Sequence, residues 1–374
     1  MLALLCGRLF ALCALVAALA PVARAACPSV TACEQYNLPC NTSFAALDPD
    51  FDNVKDDDDG GGGALLCLVV NCSGRAAQLQ GEIPCDLPSN TWALLLADIG
   101  MAGNFLFQTL LERAPSMFSQ YNIPHQPLVD LHANALTGIQ VPPASWWAGR
   151  SLSASLDLSG NSITSIQPGA FNGATIYGSL DLSGNNITSI QDGAFIDATI
   201  TGNLDLSDNN ITPIQQYAFA SATIGYNLVL SGNSITSIQQ YAFQGASIGN
   251  LDLSGNSITS IEPGAFFLAT ISGDLVLSSN NMTSIQQNAF SDINIGNTLD
   301  LSGNTISSIA GGANIGAFAN ATMVSLDLSS NRLSALQADT FGGLNINGNI
   351  NLFNNKISVL QNGWYSAFPL EANI

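Results

Sequence analysis

Residues Leu156–Phe171 read LDLSGNSITSIQPGAF, and the phrase returns down the chain as LDLSGNNITSIQDGAF, LDLSDNNITPIQQYAF and LVLSGNSITSIQQYAF. Its asparagine falls at Asn161, Asn185, Asn209, Asn233, Asn256, Asn280, Asn304, Asn331 and Asn355, a spacing of 24 with one gap of 23 and one of 27. A fixed period of this size marks stacked supersecondary units, none of which can bury its apolar face alone. In an extended LDL segment both leucines enter the core and the middle residue faces solvent. Each such strand pairs in parallel with the next, about 4.8 Å away. The asparagine sits at the bend, where its amide satisfies backbone groups of the turning chain as a buried stack. Phe171, Phe195, Phe219, Phe243, Phe266, Phe290, Phe318 and Phe341 recur in one phase and predict a second buried column. Both columns are scaffold.

The pattern extends upstream. Leu96, Ile99, Met101, Asn104 and Leu106 fit L-x-x-L-x-L-x-x-N-x-L, and Val129, Leu131, Asn134, Leu136 and Ile139 fit it without the first apolar residue, giving eleven units. On these residues the chain resembles the extracellular leucine-rich repeat family with a phenylalanine at the far side of each turn, over residues 91–374. The resemblance implies an α/β-type, largely β solenoid of about eleven repeats, with a curved parallel sheet on its concave face. It also implies non-catalytic recognition of a protein or peptide on that face. Two departures stand out. The apolar residue that the family places eight positions before the asparagine stands nine before it at Ile176, Ile200, Ile224 and Ile271, returning to eight at Ile248. The extra residue predicts a bulge ahead of the strand. At the far end FPLEANI aligns with ATITGNL and no cysteine cap follows, so an ectodomain fragment of a longer receptor is an alternative reading.

Charge narrows the partners. Only 9% of the 374 residues are charged, the net charge is -19, and residues 151–331 hold no Lys or Arg against twelve Asp or Glu. About a quarter charged is usual. Such a surface repels phosphate backbones and anionic membranes, excluding nucleic-acid binding.

Arg8 precedes the apolar run Leu9–Ala20, and Ala23-Arg24-Ala25 supplies small residues for cleavage, so residues 1–25 read as a secretory signal peptide. The expected location is secreted or cell surface, with no membrane insertion in the mature chain. Residues 26–90 form a Cys-rich N-terminal segment in which Cys27, Cys33, Cys40, Cys67, Cys72 and Cys85 predict three disulfides of open connectivity. A zinc site is the rival, but paired C-x2-C knuckles are missing. Inside this segment lies the acidic, Gly-rich stretch 48–63. Asp48, Asp50, Asp52, Asp56 and Asp59 match EF-hand positions, yet Asn53 replaces the turn glycine, so a solvated loop is the expectation. Sequons at Asn41, Asn71, Asn186, Asn210, Asn281 and Asn320 are glycosylation acceptors in a eukaryotic secretory pathway, with Pro213 weakening the one at Asn210.

No nucleophile, metal or cofactor motif emerges, so the expectation is a binder without cofactor, not an enzyme. The candidate binding residues are the mid-strand acids Asp157, Asp181, Asp205, Asp252, Asp300 and Asp327, interrupted by Val229 and Val276 and flanked by serines. Asp130 and His132 extend that face, and Trp146 and Trp147 stand in an insertion, VPPASWWAGR. The implied ligand is a basic protein or peptide. Regular Thr-Ser pairs such as Thr164-Ser165 and Thr188-Ser189 support an alternative, a repetitive surface binding ice or polysaccharide.

Overall fold

The structure of the protein, a computed structural model, describes residues 151–364 except 153 and 313–315, together with 41–43, 69–71, 93–95, 102–106, 128–133 and 135–140. The six cysteines, the stretch 48–63, Trp146, Trp147, the leader and FPLEANI lie outside these residues.

The described chain is a parallel-strand solenoid of about nine turns, without a helix among the described residues. Each turn carries three short strands. A Thr-Ile ladder links Ser151–Leu152, Thr175–Ile176 and Thr199–Ile200 onward, its isoleucines buried. A Leu-Asp ladder follows, with Leu156 opposite Leu180 and Leu180 opposite Leu204. A Ser-Ile ladder completes the turn, pairing Ser165–Ile166 with Ser189–Ile190. Alternation accounts for the burial: Leu156 and Leu158 are fully buried, while Asp157 between them is half-exposed.

Among the described residues the Leu-Asp ladder has eleven rungs, from Ala93–Leu95 and Leu128–Asp130 through to Ile350–Asn351. The first rung corrects the sequence reading. Leu94, rather than Ile99, pairs with Val129, and Asn104 lies in the strand Ala102–Leu106 opposite Gly138 instead of occupying the turn. The reason is the leucine run: Leu94 and Leu96 offer the same in-out alternation as Ile99 and Met101, five residues earlier. The expected bulge is present, since the pairing of Thr223–Val229 with Ser247–Asp252 slips between Ile224 and Asn227.

Two buried columns tie the turns together. The eight phenylalanines stack with centroid separations of 4.8 to 6.2 Å and each is fully buried. Stacked aromatic pairs add about 0.5–1.5 kcal/mol beyond the area they bury. In the asparagine column, Asn185 Nδ2 donates to Leu158 O and Leu182 O at 3.0 Å, and its Oδ1 accepts from the Ile163 N–H at 3.0 Å. The same set recurs at Asn209, where the distances are 3.0, 3.2 and 3.0 Å. No buried side-chain polar atom among the described residues lacks a partner.

Glycine is required where the first two ladders meet. A Cβ on Gly225 or Gly296 would overlap the carbonyl oxygen of Thr201 or Ser272 in the preceding turn. The 27-residue spacing has its own consequence. Ser308–Ile309 pairs back to Ser284–Ile285 and Ala335–Leu336 pairs forward to Val359–Leu360, but the two do not pair with each other. The extra residues around 310–316 interrupt the Ser-Ile ladder there.

Candidate functional site

The Leu-Asp ladder places the predicted acids in one file. Asp130 is the register partner of Asp157, Asp157 of Asp181, Asp181 of Asp205, Asp205 of Val229 and Val229 of Asp252. Val276, Asp300, Asp327 and Asn351 continue it. His132 is half-buried in the bend just after its strand.

Each acid is partly engaged. The N–H two residues on donates to Oδ1 of Asp157, Asp181 and Asp205 at 2.9 Å, with the serine hydroxyl adding a second bond at 2.7, 2.7 and 2.6 Å. In Asp252, Asp300 and Asp327 the N–H bond to Oδ1 is made, at 2.9, 2.9 and 2.7 Å, without the serine hydroxyl. One oxygen therefore closes the local turn, as an Asx side chain does. The other oxygen, Oδ2, makes no hydrogen bond in Asp157, Asp181, Asp205, Asp252 or Asp300, whereas Asp327 Oδ2 accepts from Asn351 Nδ2 at 2.9 Å.

The file is self-repelling. Neighbouring unit charges about 5 Å apart cost about 0.8 kcal/mol in water. Asp181 shows the effect: burial first, then the charges of Asp157 and Asp205, push its carboxyl above the ordinary aspartate range, against the two Ser183 hydrogen bonds. Among the described residues no three Asp, Glu, His or Cys side chains form a group able to hold a metal ion.

A second surface lies beside the first. Thr164, Thr188, Thr212, Thr236, Thr259 and Thr283 are all exposed, one per turn, and Ser307, Ser334 and Ser358 continue the column. Several of these hydroxyls donate along it to the preceding turn, as Thr188 Oγ1 does to Thr164 O at 3.3 Å and Thr259 Oγ1 to Thr236 O at 3.2 Å. Two residues ahead of each runs a companion column in which Asn186, Asn210 and Asn281 are exposed. Three of the predicted sequons therefore fall on one face. Asn320 is elsewhere, in a phenylalanine turn with φ 56°, its Nδ2 donating to Asp292 Oδ1 at 3.1 Å. Asn41 and Asn71 are register partners in an antiparallel pair.

Sequence reasoning missed a third feature. At the phase where other turns hold Gly169, Gly193 or Gly264 with positive φ, two turns hold Tyr217 and Tyr241 with φ 57° and 61°. Their rings stack at 5.8 Å, and Phe267 meets Tyr241 edge-on at 6.3 Å. Leu268 also has positive φ, at 59°, and is 59% exposed. Bulky residues rarely adopt this backbone. The signal was there to read, since tyrosine replaces glycine in phase.

A cleft of about 100 Å³ opens where the Ser-Ile ladder breaks, lined by Ser308, Ile309, Ser334 and Thr340 among others. Sites for drug-sized ligands run to about 300–1,000 Å³, several times this volume. No helix of the described residues is long and apolar enough to cross a membrane.

Comparison with known proteins follows the repeats. The family model described as the BspA type leucine rich repeat region matches in six copies over residues 151–268, 199–313 and 236–369, more than half of the chain. No curated protein matches the sequence. Among solved structures, the chain is similar to a chain of the Drosophila Toll–Spatzle complex, at 13% identity and a TM-score of 0.49, covering 75% of this chain. It spans only 35% of that chain's length. The APL1 leucine-rich repeat domain is similar at 17% identity and a TM-score of 0.43, with 79% of this chain and 83% of that one covered. A chain of the octameric Latrophilin 3, Unc5D and FLRT2 complex gives 18% identity and a TM-score of 0.41, over 82% and 88%.

Proposed function

The chain belongs to the BspA type leucine rich repeat family, and from that premise we propose that it is a non-catalytic, exported recognition scaffold for a basic protein or peptide. The Leu-Asp ladder is the binding face. One observation carries this reading: five in-file acids keep an oxygen without a hydrogen-bond partner on a sheet where residues 151–331 offer no Lys or Arg to neutralise them. Free carboxylate oxygens on rungs about 4.8 Å apart, interrupted at Val229 and Val276, match the charge of Lys or Arg side chains on an extended partner. In this reading the leader 1–25 directs export, residues 26–90 form a disulfide-stapled segment, and residues 91–374 carry the repeats.

The test separates face from net charge. Binding of an arginine-rich decapeptide is compared for the wild type, for Asp157→Asn/Asp181→Asn/Asp205→Asn, and for Asp192→Asn/Asp197→Asn/Asp292→Asn, which removes equal charge elsewhere. The ladder triple is expected to weaken binding about tenfold or more and the control triple less than threefold. Binding to the wild type should fall steeply between 50 and 500 mM salt. Equal losses in the two triples would remove the ladder from the site.

A second reading has a specific observation in its favour. The exposed Thr/Ser column repeats once per turn, as a surface for ice or polysaccharide requires. It predicts thermal hysteresis or retention on an insoluble glycan, abolished by Thr236→Val/Thr259→Val and untouched by the ladder triple.

A further inference from the structure

We propose that the Thr/Ser face carries N-linked glycans at Asn186, Asn210 and Asn281, so that the side of the solenoid next to the Leu-Asp ladder is sugar-coated instead of ligand-binding. The inference rests on the reading that the chain is exported, because the sugar donor resides in the secretory lumen. It goes beyond that reading by assigning the modified face.

The solenoid phase does the selecting. Each of these asparagines directly follows a buried column asparagine: Asn185, Asn209 and Asn280 are sealed inside, while Asn186, Asn210 and Asn281 are exposed. The intervening Ile187, Ile211 and Met282 point into the core, and Thr188, Thr212 and Thr283 return to the surface. A strand-like in-out alternation thus presents both ends of each N-x-T triplet on one side. The backbone N–H of Asn186, Asn210 and Asn281 bonds to the preceding turn, while their side-chain amides make no hydrogen bond to the protein, so folding leaves them unengaged. Asn320 contrasts on both counts, with its amide bonded to Asp292 and its backbone left-handed.

The chemistry is a group transfer that balances. The asparagine Nδ2 attacks the anomeric carbon of a lipid-pyrophosphate-linked oligosaccharide. A C–N bond forms, the C–O bond to pyrophosphate breaks, lipid pyrophosphate leaves, and the amide gives up one proton. The protein supplies only the acceptor; the host transferase supplies the base. Pro213, directly after Thr212, makes Asn210 the poorest acceptor of the three.

The spacing decides between the two readings of the molecule. Glycans at these three turns leave only Thr236 and Thr259 as a pair of neighbouring turns with unmodified companions, Ser234 and Ser257, inside the occupied stretch. A ligand that needs a long uninterrupted lattice cannot dock there. An extended peptide on the neighbouring ladder still can, walled along one flank.

The full chain is expressed in eukaryotic secretory cells twice, with its own leader and with an established one. Secreted material is digested with Asp-N, since trypsin finds no site between 151 and 331, and mapped after enzymatic deglycosylation in heavy-oxygen water. The expected result is near-complete labelling at Asn186 and Asn281, partial labelling at Asn210, and loss of one glycan mass in Thr188→Ala. Glycosylation only with the foreign leader would overturn the export reading and leave the face assignment standing. Secreted protein with Asn186 and Asn281 unmodified under both leaders would overturn the proposal.

Discussion

Asn185 and Asp181 stand four residues apart in one turn, and their counterparts stack through the solenoid, the asparagines unbroken and the aspartates interrupted by Val229 and Val276. Their physical situations differ. Asn185 is 4% exposed and its amide is saturated by Leu158, Leu182 and Ser183 carbonyls and the Ile163 N–H. Asp181 is half-buried, spends one oxygen on Ser183, and leaves the other unbonded beside two like charges. Two stacked columns are thus a finished structure and an unfinished one. Periodicity shows that a position is repeated; only hydrogen-bond saturation shows whether it has anything left to offer a partner.

The comparison breaks most readily at the asparagine. Asn185→Ala leaves the buried Ile163 N–H without its acceptor, at about 1–3 kcal/mol, while Leu158 O and Leu182 O each lose one of two donors and keep Asn161 and Asn209. A loss of roughly 2–3 kcal/mol is expected in urea unfolding, with the Ile163 amide losing exchange protection. Asp181→Ala should cost no more than about 1 kcal/mol, because it gives up only solvent-accessible turn bonds. A larger loss for Asp181→Ala than for Asn185→Ala would reverse the assignment of scaffold and site.

Much of this was legible beforehand. The leucine and asparagine phases, the phenylalanine column and the bulge near Ile224 follow from spacing alone, because each reflects a period that only one packing satisfies. The first rung was misplaced because Leu94–Leu96 and Ile99–Met101 carry the same alternation, and pattern cannot rank two registers that bury equal groups. The engagement of Asp157 with Ser159 escaped because the sequence shows both residues as polar and outward, and only backbone geometry brings the N–H onto Oδ1. Tyr217 and Tyr241 were passed over, although their phase with Gly169 and Gly193 already implied a left-handed backbone.

Removing charge from the file tests its unfinished character more gently. Asp181→Asn keeps an Oδ1 acceptor for the turn, as Asn351 does when it accepts from the Phe353 N–H at 3.1 Å. It removes repulsion from Asp157 and Asp205, a gain of roughly 1 kcal/mol at low salt and less at physiological ionic strength. The sign with pH follows from the raised carboxyl. Between the ordinary aspartate range and the raised one, the folded chain holds a proton that the unfolded chain releases. Stability therefore falls as pH rises through that window, and the penalty is complete above it. The advantage of Asp181→Asn over wild type in thermal melts is expected to be largest at pH 7 and to shrink on acidification through the window. An advantage that grows on acidification would contradict the raised carboxyl, whose first cause is burial and whose second is the charge of Asp157 and Asp205.

The smallest effect discriminates most finely, because the file contains its own control. Ser183 donates through both N–H and hydroxyl to Asp181, at 2.9 and 2.7 Å, while Ser254 donates to Asp252 through its N–H alone, at 2.9 Å. A hydrogen bond to the charged form favours that form. Ser183→Ala should therefore push the Asp181 carboxyl still higher in a carboxyl-carbon NMR titration, with a stability cost of about 0.5–1 kcal/mol. Ser254→Ala should leave the melt unchanged. If the two substitutions cost the same, the hydroxyl bond is not what separates the first three acids from the last three. Binding should then depend on the free Oδ2 atoms alone, and Asp252 and Asp300 should contribute as much to it as Asp157, Asp181 and Asp205 do.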